Sequence, residues 1–239
     1  MNPALYVHIP FCSVKCDYCD FYSLDSCGRD TEKALVYALL EDLEFCIPHF
    51  GITGFSTVYI GGGTPSALHI ESLALLLDGI GKRTGGTPLE WTVEANPGGC
   101  TAEFLSLSGE KGVDRLSLGV QSLYPPARRF MGRRGEYRAL REGIDRVRTQ
   151  WTGRLSFDFI RDLPQEHSCS IERELELLNV PAAEHLSLYD LTVEESTPLA
   201  KRLGRRKGGR REGYSQELMR LDSVGVLEEQ GYRRYEVSN

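Results

Sequence analysis

Short β-prone runs alternate with helical patterns six times along this chain, and this alternation limits the fold more than any other feature. The predicted strands cover residues 5–9, 57–60, 90–94, 115–120, 155–160 and 185–191. The predicted helices cover residues 31–47, 70–82, 102–111, 136–150, 171–178 and 214–230. Such an order predicts parallel strands joined by right-handed crossovers, with helices covering both faces of the sheet.

Polar residues stand in or just after the predicted strands, and their positions favour a barrel-like sheet over a flat one. Tyr6 and His8 lie in the first run, Glu94 and Asn96 lie at the end of the third, and Gln121 follows the fourth. Because the carboxyl ends of parallel strands meet at one edge, these residues point to a single site at the top of the sheet. We therefore expect an α/β fold, a partial TIM-type (β/α)6 barrel of parallel strands with outer helices.

The composition is that of a globular chain, with 239 residues of which 41% are hydrophobic and 26% are charged. We expect one core domain over residues 1–239 and a seventh strand at residues 235–237. The net charge is -6, although the segment Lys201–Gly213 contains seven basic residues. We expect this segment to form a mobile basic loop, with contact to an anion or a partner as the alternative. It lacks interleaved aromatic residues, so no nucleic-acid partner is expected.

The sequence predicts a cytoplasmic protein without a transmembrane segment. Its apolar runs, such as residues 73–77, are too short to span a bilayer, and no basic region precedes an apolar stretch at the N-terminus. The cysteine count is seven, an odd number, and the cysteines do not form the dense framework of a small secreted domain. A reducing compartment fits this usage.

Three cysteines, Cys12, Cys16 and Cys19, form a C-x3-C-x2-C pattern directly after the first predicted strand. Zinc would require a fourth cysteine or histidine at comparable spacing. A cubane iron-sulfur cluster can instead be held by three thiolates of one loop, which leaves one iron open to a further ligand. We predict a [4Fe-4S] cluster on these three cysteines and expect the other four to be dispensable. The alternatives are a zinc knuckle completed by His8 or Cys27, or three incidental thiols.

This cysteine segment resembles the cluster-binding loop of the radical S-adenosylmethionine superfamily. The segments at residues 61–65, 93–98, 115–122 and 156–158 follow the same family in order, and the last three resemble the E-x-N-P, R-x-S-x-G-x-Q-S and D-L-I segments of its coproporphyrinogen dehydrogenase and HemW subgroup. The resemblance implies that the open iron binds S-adenosylmethionine, which one electron from the cluster splits to a 5′-deoxyadenosyl radical. By position, it implies ligand contacts from Tyr6, Tyr18, Gly62, Gly63, Thr64, Glu94, Gln121, Arg133 and Asp158.

Position 21 distinguishes the two kinds of protein in this subgroup. The dehydrogenase carries a fourth cysteine two residues after the third, whereas HemW-type proteins carry an aromatic residue there, and this chain has Phe21. The Leu-Thr-x-Glu-Glu stretch at residues 191–195 also resembles the HemW type. We therefore expect a HemW-type heme chaperone that binds S-adenosylmethionine, transfers heme and does not oxidise coproporphyrinogen III. The alternatives are the oxygen-independent coproporphyrinogen III oxidase itself and an inactive, truncated cluster-binding protein.

The resemblance also implies partners, namely heme, a heme-accepting protein and an electron donor such as flavodoxin or ferredoxin. The chain departs from the family in two segments. The family's Gly-Arg-x-His reads Gly132-Arg-Arg-Gly135 here, and its Leu-Ile-Tyr-Gly-Leu-Pro reads Phe159-Ile-Arg-Asp-Leu-Pro164. Relatives continue past the Glu-x-Ser-Asn motif with which this chain ends, so we expect their C-terminal domain to be absent.

Overall fold

The computed structural model describes residues 2–25, 28–133, 137–178, 183–204 and 223–236. The strands are β1 (Ala4–Ile9), β2 (Phe11–Cys12), β3 (Leu24–Asp25), β4 (Thr57–Gly62), β5 (Glu90–Ala95), β6 (Arg115–Gln121), β7 (Arg154–Arg161) and β8 (His185–Asp190). The helices are α1 (Arg29–His49), α2 (Ile70–Gly81), α3 (Ala102–Glu110), α4 (Pro125–Phe130), α5 (Tyr137–Gln150), α6 (Ile171–Leu178) and α7 (Pro198–Leu203). Residues 223–229 are also helical.

One six-stranded sheet follows the order β1-β4-β5-β6-β7-β8, and β2 and β3 form a separate two-stranded ladder. The pairs β1/β4, β4/β5, β5/β6 and β7/β8 are parallel. Successive strands of this sheet are therefore neighbours, as expected when a crossover connection joins each strand to the next. The predicted six strands of the α/β fold are confirmed, and the parallel pairing places the carboxyl ends of paired strands at the same edge.

Apolar side chains on the strands and on the inner helix faces form the core. Leu116, Leu118 and Val120 of β6 are fully buried, and they alternate with less buried residues at the period of two that a strand requires. Leu76 and Ile80 of α2 are also buried, one helical turn apart. Each such side chain contributes about 1.5–3 kcal/mol when it is removed from water.

The chain divides into two compact units. The first consists of Met1–Lys15, Phe21–Gly119 and Arg138–Leu155. The second consists of Cys16–Asp20, Val120–Tyr137 and Ser156–Asn239. The first unit contains β1 to β5 with α1 to α3, and the second contains α4, α6, β8 and α7.

Two segments near the C-terminus differ from the sequence-based expectation. Lys201 and Arg202 lie in α7, so the segment expected to form a mobile basic loop is helical at its start. Thr197 caps this helix and Pro198 begins it, both common signals of a helix start. Residues 205–213 of the expected loop lie outside the described residues. Residues 235 and 236 form no strand, and residue 237 is not described.

No described helix combines the length and the apolar character that crossing a membrane requires.

Helix α5 packs closely on the turn that follows β5. A Cβ atom at Gly143 would clash with the carbonyl oxygen of Pro97, so only glycine fits at this point of the helix. Pro97 directly follows Asn96, whose backbone N–H donates to Ser66 Oγ at 3.0 Å. The close approach of α5 therefore helps to fix the carboxyl end of β5.

We predict that Gly143→Ala destabilises the protein. Alanine in a helix interior is normally favoured over glycine by about 0.5–1 kcal/mol, but the clash with Pro97 should reverse the sign and lower the free energy of unfolding by about 1–3 kcal/mol. The matched control is Gly109→Ala in α3, where the nearest atom to the new Cβ is a ring carbon of Trp151 at 3.8 Å. Urea unfolding followed by circular dichroism measures both. A Gly143→Ala protein as stable as the parent would contradict the packing described.

Candidate functional site

In the first unit, the glycine-rich turn at residues 61–65, which begins within β4, packs against the end of β1. The backbone N–H of Gly63 donates to the carbonyl of Ile9 at 2.7 Å. A Cβ atom at Gly63 would lie 2.6 Å from the carbonyl oxygen of Phe11, and one at Gly62 would lie 2.6 Å from the ring of His8. Gly62 also has a φ of 109°, in the region that favours glycine. The close approach of the chain to itself therefore requires these two glycines.

The first cysteine of the motif lies beside the same turn. Cys12 ends β2, and its Sγ is 3.7 Å from Thr64 Oγ1. The backbone N–H of Thr64 donates to the carbonyl of Phe11 at 2.7 Å, which ties the turn to the residue before the cysteine. The sequence separates Cys12 and Thr64 by 52 positions, and the parallel pairing of β1 with β4 brings them together.

Glu94, near the end of β5, reaches across to the end of β4. Its Oε1 accepts a hydrogen bond from the Tyr59 hydroxyl at 2.7 Å, and its Oε2 accepts one from the backbone N–H of Gly62 at 3.1 Å. The carboxylate also fills the space that a side chain at Gly61 would occupy. Glu94 therefore supports the glycine-rich turn through both of its carboxylate oxygens.

Tyr6 and His8 of β1 form a polar and aromatic group at the same strand end. Tyr6 Oη lies 3.0 Å from His8 Nδ1, and His8 Nε2 lies 3.1 Å from the carbonyl oxygen of Tyr22. Burial, followed by the charge of Glu94, raises the pKa of Tyr6. The sequence placed His8 at this strand end but did not predict it to contact S-adenosylmethionine, although its separation of two positions from Tyr6 places both side chains on one face of the strand.

In the second unit, Cys16 and Cys19 lie in one tight turn. The backbone N–H of Cys19 donates to the carbonyl of Cys16 at 3.2 Å. Arg133 Nη1 donates to Cys16 Sγ at 3.5 Å, so a guanidinium is directed at the sulfur. Tyr18, between the two cysteines, packs against a small apolar cluster made of Ala127, Met131 and Leu163.

The surroundings of Tyr18 keep its hydroxyl protonated. Burial is the main cause of a strongly raised pKa at Tyr18, and the neighbouring Cys16 and Cys19 raise it further. The charge of Arg133 acts in the opposite direction. Tyr18 and Cys16 in turn raise the pKa of Arg133 above its ordinary value, although burial alone would lower it. A neutral phenol and a charged guanidinium are therefore fixed beside the cysteine turn.

Gln121 ends β6 in an unusual backbone conformation. Its φ is 65°, in the left-handed region that non-glycine residues seldom occupy. Its Oε1 is buried and has no hydrogen-bond partner within the described part of the chain. A buried acceptor without a donor costs about 1–3 kcal/mol, and strain of this kind is typical of functional sites. Gln121 therefore has a free acceptor that a bound ligand could satisfy.

A buried polar network holds the residues around Gln121. Glu174 of α6 accepts from Ser122 Oγ and from the backbone N–H of Leu123, the latter at 2.6 Å. Arg128 of α4 donates to the carbonyls of Val120 at 3.3 Å and Ser122 at 3.0 Å. Burial raises the pKa of Glu174, against its hydrogen bonds, and burial lowers the pKa of Arg128 to about 10. The buried side chains of Glu174 and Arg128 therefore fix the turn that follows Gln121.

Asp158 is half-buried in β7, where it lies opposite Ser187 of β8. Two charged residues, three and four positions further along the chain, depart from the family pattern. Arg161 forms an ion pair with Asp190 of β8 at 2.6 Å. Asp162 adopts a φ of 60° at the end of the strand. The charge of Arg161 is therefore paired with a carboxylate on the neighbouring strand.

The predicted residues thus fall into two groups, one in each unit. The first unit contains Tyr6, Cys12, Gly62, Gly63, Thr64 and Glu94. The second unit contains Cys16, Tyr18, Cys19, Gln121, Arg133 and Asp158. Sequence reasoning did not single out Tyr59, Ser122, Arg128 and Glu174 as supporting residues. Tyr59 carried a signal, because its separation of two positions from Gly61 indicates one face of β4, and Ser122 carried one as the last residue of the R-x-S-x-G-x-Q-S segment.

The described part of the chain contains no group of three Cys, His, Asp or Glu side chains arranged around a single metal ion. Cys27, one of the residues that could complete a zinc site, lies outside the described residues. A zinc site completed by Cys27 therefore falls outside the described residues.

The sequence matches the family model described as the radical SAM superfamily over residues 6–178. The heme chaperone HemW of Lactococcus lactis subsp. lactis (strain IL1403) is 32% identical over 246 residues. The mitochondrial radical S-adenosyl methionine domain-containing protein 1 of Bos taurus is 32% identical over 240 residues. These alignments cover 98% and 99% of this chain but 61% and 53% of the relatives. The chain therefore spans little more than half the length of the curated relatives it matches.

A solved structure with a similar fold is that of coproporphyrinogen III oxidase (HemN) from Escherichia coli, which is described as a radical SAM enzyme. The TM-score is 0.79 at 23% sequence identity, and the match covers 97% of this chain and 54% of the other. At this identity the likeness shows the fold.

We predict that Glu174 makes stability depend on pH. Because its pKa is raised in the folded chain, the stability that it contributes is complete below the usual carboxyl range and is lost as the pH rises through the raised value. Glu174→Gln removes this titration while keeping an acceptor for Leu123. The parent should therefore lose stability relative to the variant as the pH rises from the ordinary carboxyl range through the raised pKa of Glu174.

Urea unfolding at a series of pH values measures this difference. The matched control is Glu172→Gln, an exposed glutamate of the same helix, which should leave the pH dependence of the parent unchanged. Parallel stability curves for the parent and Glu174→Gln would show that this carboxyl group does not titrate differently on folding.

Proposed function

Because this chain belongs to the radical S-adenosylmethionine superfamily, we propose that it binds a [4Fe-4S] cluster through Cys12, Cys16 and Cys19, binds S-adenosylmethionine beside it, and acts as a HemW-type heme chaperone. A cluster and S-adenosylmethionine are the cofactors that the superfamily implies. The observation that carries the proposal is the three-cysteine loop, in which Cys12 contacts the glycine-rich turn and Cys16 contacts Arg133.

The chemistry of the cysteine loop supports a cluster held by three thiolates. None of the six described cysteines forms a disulfide, so no disulfide occupies the three thiols of the motif. Hydrogen bonds to ligand sulfur atoms and burial tune such clusters, and Arg133 and Tyr18 supply a donor and a buried surface beside Cys16. The bound cluster would supply the electron that cleaves S-adenosylmethionine. The absence of a disulfide among the described cysteines also suits a reducing compartment such as the cytoplasm.

The remaining predicted residues fit S-adenosylmethionine, a zwitterion with a ribose diol. Arg133 offers a guanidinium for the ligand carboxylate, and Glu94 and Asp158 offer acceptors for its ammonium and hydroxyl groups. The unsatisfied Oε1 of Gln121 requires a donor that the described chain does not provide. The proposed ligand contacts also include Gly62, Gly63 and Thr64 of the glycine-rich turn and the aromatic residues Tyr6 and Tyr18. Each of these roles is part of the proposal.

The heme-chaperone part of the proposal rests on relatives named HemW and on the residue at position 21. Phe21 stands where the dehydrogenase type has a further cysteine, and its exposed fraction is 67%. Tyr22 is 69% exposed and lies beside His8. Exposed aromatic rings of this kind suit a flat, apolar ligand such as heme. The proposal includes a heme-accepting protein and an electron donor such as flavodoxin or ferredoxin.

We predict that Cys12, Cys16 and Cys19 are each needed for the cluster. After anaerobic reconstitution, the parent should contain about four irons per chain, whereas Cys12→Ser, Cys16→Ser and Cys19→Ser should each lose most of this iron. Cys46→Ser and Cys169→Ser are the controls and should match the parent. Iron and sulfide analysis decides the matter, and a Cys12→Ser protein with the iron content of the parent would show that the ligands are wrong.

We predict that two carboxylates contribute to ligand affinity. Glu94→Gln and Asp158→Asn keep the shape of the side chain but remove its charge, so each should weaken S-adenosylmethionine binding by about 1.5–3 kcal/mol, the range for hydrogen bonds to charged groups. The control is Glu41→Gln, an exposed glutamate of α1. Equilibrium dialysis of the reconstituted proteins measures the affinities. Equal affinity for the parent and both variants would remove these residues from the site.

We predict that the protein binds heme and does not oxidise coproporphyrinogen III. Hemin titration should give a saturable change in the Soret band. An anaerobic assay with coproporphyrinogen III, S-adenosylmethionine and a reductant should yield less than about one turnover per cluster, because the fourth cysteine of the dehydrogenase type is replaced by Phe21. Multiple turnovers would establish the oxidase instead, and the absence of hemin binding would exclude the chaperone role.

A further inference from the structure

Within the second unit, the short helix α7 packs directly on the cysteine turn. The backbone N–H of Leu199 donates to the carbonyl of Asp17 at 2.7 Å. Arg202 Nη1 donates to the carboxylate of Asp17, and Arg202 Nη2 donates to the carbonyl of Phe130. The guanidinium also lies over the ring of Phe130, 5.9 Å from its centroid. One side chain of α7 therefore joins the cysteine turn to the end of α4.

Asp17 is the residue through which these contacts act. It directly follows Cys16, and its side chain is only 10% exposed. Its backbone N–H donates to the carbonyl of Met131 at 3.1 Å. A Cβ atom at Gly132 would collide with the carboxylate of Asp17, so glycine at this position provides the space for that carboxylate. A carboxylate buried to this degree needs a positive partner, and Arg202 provides one.

The segment that presents Arg202 is itself firmly held. Thr197 and Leu199 are 2% and 0% exposed. Thr197 Oγ1 donates to the carbonyl of Glu194 at 2.7 Å and accepts from the backbone N–H of Ala200 at 3.2 Å. Ser196 Oγ donates to Asp20, the residue after Cys19. The turn is thus contacted by this segment at both of its ends.

We propose that Arg202 is a positioning residue that holds Cys16 and Cys19 in place through Asp17. Between the two cysteines lie only Asp17 and Tyr18, and both are anchored, Asp17 by α7 and Tyr18 by the apolar cluster around Met131. This inference rests on the proposed cluster site for its functional meaning. When Arg202 is lost, the turn opens more often, the two thiols become accessible and iron leaves a bound cluster faster.

Thiol labelling of the full chain without iron tests the positioning directly. In Arg202→Met, the maleimide modification rates of Cys16 and Cys19 should rise roughly tenfold, as expected from the loss of a charge-assisted hydrogen bond. Peptide mass spectrometry assigns the rates, and Cys46 serves as the internal reference. The matched control is Lys201→Met, at an exposed position of the same helix. Equal rates in Arg202→Met and the parent overturn the proposal.

A double-mutant cycle separates positioning from general destabilisation. If Arg202 acts through Asp17, Arg202→Met should have little further effect in an Asp17→Asn background. Arg202→Lys keeps a charge for Asp17 and should restore most of the protection. Additive effects and no rescue by lysine would contradict the proposal. In iron-loaded proteins, the rates of iron release to a chelator should rank the variants in the same order as the thiol labelling rates. A parent that takes up no iron would contradict the proposed cluster site, but the labelling result would still test the positioning role of Arg202.

Discussion

The hydrogen bonds that join the turn after β4 to the end of β1 are the interaction on which the site residues of the first unit depend. The N–H groups of Gly63 and Thr64 each donate at 2.7 Å, to the carbonyls of Ile9 and Phe11. Because these bonds need close backbone approach, side chains at the glycines are excluded, and Cys12 is fixed beside Thr64. The parallel pairing of β1 with β4 thus sets the position of the first cysteine.

The second unit fixes its part of the site by buried polar groups. Glu174 and Arg128 are buried charged side chains whose hydrogen bonds hold the turn after Gln121. The largely buried Asp17 holds the cysteine turn through its pair with Arg202, whose side chain is 45% exposed. Buried charges and left-handed backbone are unfavourable in themselves, so their occurrence beside the predicted ligand residues favours a functional reason over a purely structural one.

The sequence predicted the six strands of the sheet because their apolar pattern is local and repeated. It did not predict β2 and β3, since two-residue strands have no periodicity to detect. It also missed the pairing of Arg202 with Asp17, because these residues are 185 positions apart and no local pattern links them. The φ of Gln121 carried no signal, since glutamine seldom adopts it. The ligand roles assigned by resemblance stay predictions.

The central claim is that three cysteines hold a [4Fe-4S] cluster whose remaining iron is open to S-adenosylmethionine. Mössbauer spectroscopy of the 57Fe-reconstituted chain, with and without S-adenosylmethionine, tests it most directly. The account predicts that the ligand shifts the parameters of a single iron site and leaves the other sites unchanged, because only that iron lacks a cysteine. A spectrum that S-adenosylmethionine does not alter, or one without a cubane cluster, would contradict it.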